Sequence, residues 1–301
     1  MSGLVLLPGL IGYILTGLTI VHALKDAKKN RIQRILMLAT IFIFTVFIEL
    51  LGVITGAFSY ATELIMILDR VPLSITLSWV GIIYSSMIIS ERLKLSLWQR
   101  ILTTTLIALS LDWGMDPIAV ETGAWMFGGG EYFNIPAFNF FGWFFIPIAF
   151  LVPYGLSWEK DRKKLRLLNV AEVDARHSLL RRLYTVLLII PIGLGILMLA
   201  ESFTRILLIF NLSVVFLVVW MIFTIVWSSG IIIWKNENLK RTKWFDLIPP
   251  SNLLVIAYFY AISSFILGLF TLGLLMLITA LPYLLAFIFT LRKNRFIEES
   301  I

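Results

Sequence analysis

The residues able to do chemistry in this chain are carboxylic acids, and they concentrate in one stretch. From Leu111 to Phe145 the sequence reads LDWGMDPIAVETGAWMFGGGEYFNIPAFNFFGWFF, with Asp112, Asp116, Glu121, Glu131, Asn134 and Asn139 and neither Lys nor Arg. The i, i+4 spacing of Asp112 and Asp116 puts both carboxyls on one face of a helix. Two like charges at that range beside a membrane favour holding a proton between them, so the pair could serve as general acid and base. The same oxygens could instead chelate Mg²⁺, or simply face water at a helix end. Pro117 is predicted to interrupt this helix, because the residue before a proline is pushed out of the helical region.

Glu49 stands apart, inside the apolar run FIFTVFIELLGVITGAF. An ionisable group at a helix centre costs ~2.5–3.5 kcal/mol on insertion scales, so it is expected to face a polar cavity or a partner. Burial without a cation would keep it a neutral acid able to give up a proton; the alternative is a structural acid bonded to another helix. Gly52 and Gly56 form a small-xxx-small face that predicts close helix packing. Glu121 and Glu131 flank Gly128-Gly129-Gly130, which lacks the GK[ST] ending of a phosphate loop and predicts a tight turn or a re-entrant excursion. Trp113, Trp125, Phe127, Tyr132, Phe133, Phe138 and Trp143 could form an interfacial belt. They could also wall a pocket whose π faces stabilise a carbocation. Asn139, deep in an apolar run, suits the fixing of a carboxyl or a water. Tyr60, Asp69 and Arg70 fall on the same side as these acids, where Asp69 and Arg70 can satisfy one another or solvent. Glu201 and Arg205 read as a structural pair, and His22 and His177, near the basic loops, as poor catalysts. There is no cysteine, hence no disulfide, thiolate site or cysteine nucleophile. With no GxSxG, HExxH, Walker loop or dinucleotide fingerprint, no cofactor or metal is expected. Catalysis would run on carboxylates, water and shape.

The elements that position these groups are membrane helices. Of 301 residues, 59% are hydrophobic and 14% charged, against about 25% charged in ordinary soluble domains. Apolar runs fall at about 3–24, 34–57, 72–90, 101–119, 135–156, 183–200, 206–230, 252–268 and 271–291, each close to the roughly 20 residues that cross a bilayer. The fold class is therefore all-α, a polytopic membrane helix bundle in a single transmembrane domain over 1–301. About nine spans are expected, the last two meeting near Gly268 and Gly273, or eight if those two are one kinked feature. With nine, alternate loops collect every basic residue except Arg70 and Arg205 on one side. Cytoplasmic loops are the basic ones, so the N-terminus is expected outside, the C-terminus in the cytoplasm, and 112–134 on the outer side of a plasma membrane. The first run has no basic n-region or cleavage site and reads as a span rather than a signal peptide. The net charge of +7 then follows from topology and contact with anionic lipid headgroups, not from nucleic acid. The segment 158–182, WEKDRKKLRLLNVAEVDARHSLLRR, predicts a short amphipathic helix at the cytoplasmic surface or a docking element for a partner; 183–301 supplies the C-terminal helices. No internal repeat is evident.

Several motifs resemble those of one family. They are Glu49-Leu-Leu-Gly52-x3-Gly56, Pro72, Trp79, Asp112-x3-Asp116-Pro117, Gly123-x-Trp125, Tyr132-Phe133-x-Ile135-Pro136 and Asn139-Phe-x-Gly142-Trp143. Together they look like the integral-membrane carotenoid biosynthesis family, whose characterised members are carotenoid 1,2-hydratases, including the bisanhydrobacterioruberin hydratases of archaea. The resemblance covers a core of roughly 45–156 and departs from the family at AFSYATEL, poorer in Tyr and Gly, and at the triple glycine with Glu131. It implies cofactor-free addition of water across the terminal isopropylidene double bond of a linear carotenoid or related isoprenoid lipid, with other enzymes of that pathway as partners. A general acid protonates C2, and water captures the tertiary cation at C1. The chain's own chemistry assigns Asp112 and Asp116 to activating water and relaying protons, Glu49 to a second acid, and Asn139 to placing the water. Glu121, Tyr60, Trp113, Trp125, Tyr132 and Trp143 would shape the substrate site. Two rivals stand beside this reading. A membrane prenyltransferase would want a second aspartate-rich motif and basic residues for a diphosphate. A proton- or cation-coupled transporter would route ions past Glu49 and the outer acids.

Overall fold

In the computed structural model of the chain, residues 3–26, 31–63, 65–168, 192–195, 198–199, 202, 206, 213–240 and 243–292 are described. Helices occupy the apolar runs: α1 (Gly3–Asp26), α2 (Arg31–Ile54), α3 (Leu73–Arg92), α4 (Leu97–Glu121) and α5 (Ala137–Leu168). They continue with α6 (Ser213–Trp234), α7 (Ile248–Ile266), α8 (Phe270–Thr279) and α9 (Leu281–Leu291). The strands are very short: β1 (Phe58–Tyr60), β2 (Met66–Ile67), β3 (Val71–Pro72) and β4 (Trp125–Phe127), in two antiparallel pairs, β1–β4 and β2–β3. The described chain is an all-α membrane bundle. Five of its helices are long and apolar enough to cross a bilayer, or six when α8 and α9, bent by 47°, count as one broken span.

α4 is the hub. It packs against α3, α5, α6, α7 and α8, and its polar residues Thr103, Thr104, Thr105, Ser110, Asp112 and Asp116 are all buried. It is less apolar than the helices long and apolar enough to cross a bilayer, as a helix enclosed by protein has no lipid to match. The rim shows the converse: α6 has a mean hydropathy of 2.3 with 28% of its window buried, against 1.6 and 78% for α3. Many hydroxyls inside the bundle bond within the chain, as where Tyr283 Oη donates to the Ile107 carbonyl at 2.7 Å and meets Ser110 Oγ at 2.7 Å.

Sequence and structure part at several points. α4 does not stop at Pro117 but runs through it to Glu121. A proline inside a helix leaves the carbonyl four residues back without its donor. That carbonyl is Trp113 O, and the Tyr132 hydroxyl, from the following loop, donates to it at 2.9 Å. The missing bond is made good from outside the helix, so the helix continues. α5 likewise continues past 156 to Leu168, placing the first part of the 158–182 segment on the same helix; 169–182 lie outside the described residues. So do His177, Glu201, Arg205 and most of the 183–200 run. The final apolar segment divides into α8 and α9 around Ala280, just before Pro282, and Gly273 sits inside α8 rather than at the turn. The turn itself is made at Gly268.

Loop charge sorts the two ends of the bundle. At one end Arg34 pairs with Glu91 at 2.8 Å and Arg92 with Asp246 at 2.7 Å, while the Lys25 ammonium stands 4.7 Å over the Trp244 ring. These contacts gather the α1–α2, α3–α4 and α6–α7 connections. The opposite end carries the α2–α3 and α4–α5 connections, joined by the β1–β4 pair.

The Tyr132 cap has a measurable consequence. Tyr132→Phe leaves the Trp113 carbonyl unsatisfied and is expected to cost about 1–3 kcal/mol in thermal unfolding of the detergent-solubilised protein. In a Pro117→Ala background, where the backbone N–H returns, the same change is expected to cost markedly less; equal costs in both backgrounds would refute the account.

Candidate functional site

Helix ends build the cavity's lid. α2 and α4 terminate alike, with Gly56 (φ +74°) and Gly123 (φ +71°) in the left-handed region that favours glycine. In each, the next amide closes a six-residue turn: Ala57 N–H to Gly52 O at 2.9 Å, and Ala124 N–H to Ala119 O at 2.8 Å. The chain leaves both helices at matching angles, and β1 and β4 pair with Phe58 opposite Phe127 and Tyr60 opposite Trp125. Those four aromatic residues all face the same cavity.

The cavity holds about 770 Å³. α2 contributes Glu49, α4 Met115 and Asp116, α5 Phe138, Asn139 and Trp143, and α7 Ile256 and Tyr260, with Ser78 and Trp79 from α3. Among the described residues no Lys or Arg lines it.

Two acid centres converge there. Glu49 accepts hydrogen bonds on both oxygens, from Trp79 Nε1–H at 2.6 Å and from the Tyr60 hydroxyl. Trp79 in turn stacks on Trp143 with centroids 3.9 Å apart, so α3 and α5 together hold the donor in place. The second centre is the aspartate pair. Asn139 Nδ2 donates to Asp116 Oδ2 at 2.6 Å and to Asp112 Oδ2 at 3.3 Å, so one amide bridges the two carboxyls, which interact electrostatically with one another. Asp116 faces the cavity; Asp112 lies behind it, with Oδ1 buried and without a partner among the described residues. Glu49 and Asp116 are close enough to interact electrostatically. The arrangement offers an acid pair and a separate carboxyl on one apolar, aromatic-walled space. Among the described residues no three His, Cys, Asp or Glu side chains gather as a metal site.

The sequence-predicted residues divide accordingly. Glu49, Tyr60, Asp116, Trp125, Asn139 and Trp143 come together on the wall. Trp113 is fully buried behind it, stacked on Phe140 at 4.1 Å, and Tyr132 packs on the same ring while capping Trp113. Glu121 is exposed at the end of α4, away from the cavity. Glu131 caps α5, accepting from Ala137 N–H at 3.1 Å. Gly52 does not serve helix–helix packing: a β-carbon there would overlap the Phe58 ring, so this glycine makes room for the lid. Gly56 is the turn beyond the helix and packs on nothing. The triple glycine is a bend followed by irregular chain, with Gly130 lying directly on the Ile135–Pro136 backbone, and the tight turn falls instead at Tyr132–Ile135, where Phe133 and Asn134 are left-handed. Three wall residues escaped the reading of spacing: Ser78, Trp79 as a carboxyl donor, and Tyr260, which arrives from α7.

The lid contact is open to test. Gly52→Ala is expected to displace Phe58 and cost about 1–3 kcal/mol by overpacking. The loss should shrink in a Phe58→Leu background; an unchanged unfolding temperature for Gly52→Ala alone would contradict the assignment.

The model of a family described as carotenoid biosynthesis protein matches residues 9–215 of the chain. No curated protein and no solved structure matches it.

Proposed function

The chain belongs to the carotenoid biosynthesis family, and from that premise we propose that it adds water across the terminal isopropylidene double bond of a linear carotenoid. The observation carrying this reading is the convergence of Glu49 and Asp116 on one aromatic-walled cavity that has no Lys or Arg among its described residues. Water addition through a cation suits such walls, since π faces and carboxylates stabilise positive charge. A diphosphate substrate would want the missing cations, which disfavours prenyl transfer.

The chemistry divides between the two centres. Two buried carboxyls sharing one amide donor and no cation favour holding a proton between them, so in this proposal the Asp112–Asp116 pair carries the acid proton and Asp116 presents it. The π electrons of the C1=C2 bond take that proton at C2, leaving a tertiary cation at C1. A water held by Glu49 bonds through its oxygen to C1 and gives a proton to the Glu49 carboxylate. Two donors aimed at Glu49 suit that form, so in this proposal Glu49 is the base rather than the second acid expected from sequence. The proton passes back from Glu49 to the aspartates through water; one water is consumed, and the product is a tertiary alcohol. Asn139 holds the pair in register, and Asp112 stores the proton behind Asp116.

The finer topology belongs to the same proposal. About nine spans place the basic end in the cytoplasm and the cavity toward the outer face of the plasma membrane, with the N-terminus outside.

Both parts have direct tests. In a host making acyclic carotenoids, mass spectrometry of the pigments is expected to find a product heavier by one water, or by two where both ends react. Asp116→Asn and Glu49→Gln should each lower its yield about 100-fold or more, and Asp112→Asn less. An unchanged pigment profile from well-inserted protein would sink the hydration. Because the chain has no cysteine, Thr62→Cys and Glu237→Cys each create a single label site. In intact cells a membrane-impermeant maleimide should label the first and spare the second; the reverse pattern would invert the topology.

A further inference from the structure

Hydration consumes a water at every turnover, yet most of the cavity wall is apolar. Water therefore needs a polar path to Asp116. One runs along the α1–α3 seam. Glu63, in the loop after β1, is half-buried, and its Oε2 accepts from Ser74 Oγ–H at 2.6 Å. Ser78, one turn deeper on the same face of α3, lines the cavity itself. Opposite them α1 carries Gly9 and Gly12. A β-carbon at the first would stand 3.0 Å from Glu63 Oε2, and at the second 2.7 Å from Ser78 Oγ. Glycines at these two positions let α1 approach the oxygens without a side chain displacing them. The Tyr13 hydroxyl, also on α1, is buried with no hydrogen-bond partner among the described residues and feels the Glu63 charge. Tyr260, on the cavity wall, interacts electrostatically with both Glu63 and Asp116. The titratable groups facing Glu63 are thus Tyr13 from α1 and Tyr260 from α7, while α3 supplies hydroxyls.

We propose that Glu63 is the outer mouth of a polar file, Glu63–Ser74–Ser78, that delivers water to Asp116 and lets the aspartate pair exchange protons with the aqueous phase. The inference rests on Asp116 as the acid of the proposed hydration. Glu63 acts through water and is a positioning residue. Burial pushes its carboxyl above the ordinary glutamate range, against the opposing Ser74 hydrogen bond. A carboxyl so raised loses its charge in mildly acidic solution, so turnover falls as the pH drops through that range.

The test compares wild type, Glu63→Gln and Ser78→Ala, purified and assayed on an acyclic carotenoid from mildly acidic to neutral pH. Both variants are expected to lose kcat by about tenfold at unchanged KM, and Glu63→Gln to lose the acid limb of the kcat profile. Wild-type kcat and an intact acid limb in Glu63→Gln would overturn the file and leave the hydration standing. If the wild type itself hydrates nothing, the functional reading fails, and the file is judged by infrared spectroscopy. There the carboxylic C=O band abolished by Asp116→Asn shifts on transfer to D₂O. The file requires that shift to be about tenfold slower in both variants; equal rates would overturn it.

Discussion

The Asn139 side chain ties the acid pair of α4 to α5, and much of the bundle accommodates that contact. Its amide meets Asp116 at 2.6 Å and Asp112 at 3.3 Å, in a region where bulk water cannot satisfy a stray donor or acceptor. Unpaired polar groups there cost several kcal/mol each. The helix carrying the acids must therefore be enclosed, and α4 is, by α3, α5, α6, α7 and α8. The Trp113–Phe140 stack and the Tyr132 cap close the same α4–α5 seam from behind. A helix rich in buried polar groups ends up central, and the strongly apolar α6 at the rim.

Positioning of the second carboxyl follows from helix ends. α2 and α4 finish on the same glycine turn, so their continuations meet as β1 and β4 and fold four aromatic rings over the cavity. Tyr60 on that lid and Trp79 on α3 then fix Glu49 from two directions, and Trp143 fixes Trp79. Each functional side chain is thus held by a second one on a rigid element, which is what keeps a site in working geometry.

Charge separation completes the arrangement. The ion pairs Arg34–Glu91 and Arg92–Asp246 hold basic loops at the end of the bundle away from the lid. A helix of 25 residues is about 37 Å long at 1.5 Å per residue, which separates the two ends of the bundle. Among the described residues no Lys or Arg lines the wall to neutralise the cavity's acids. The carboxyls are left to one another, to Asn139, and to neutral donors.

By itself the sequence determined the class of the protein and the chemistry it can attempt. Hydropathy marked the runs that became α1 to α9, and the spacing of Asp112 and Asp116 put two acids on one face, because both properties repeat along a single helix. Glu49 and Asn139 were legible as costly polar groups in apolar runs, though their partners were not. Only the tertiary structure decided that Trp79 and Tyr60 serve Glu49, that Tyr132 makes Pro117 harmless, and that Gly52 clears space for Phe58 rather than for a helix. Tyr260 and Ser78 joined the wall from helices whose local pattern says nothing of acids. Trp113 and Tyr132, equally aromatic and closer to the acids in sequence, were turned behind it. Periodicity is set by neighbours three or four residues away, whereas a hydrogen-bond partner or a cavity wall is set by which helix faces packing brings together.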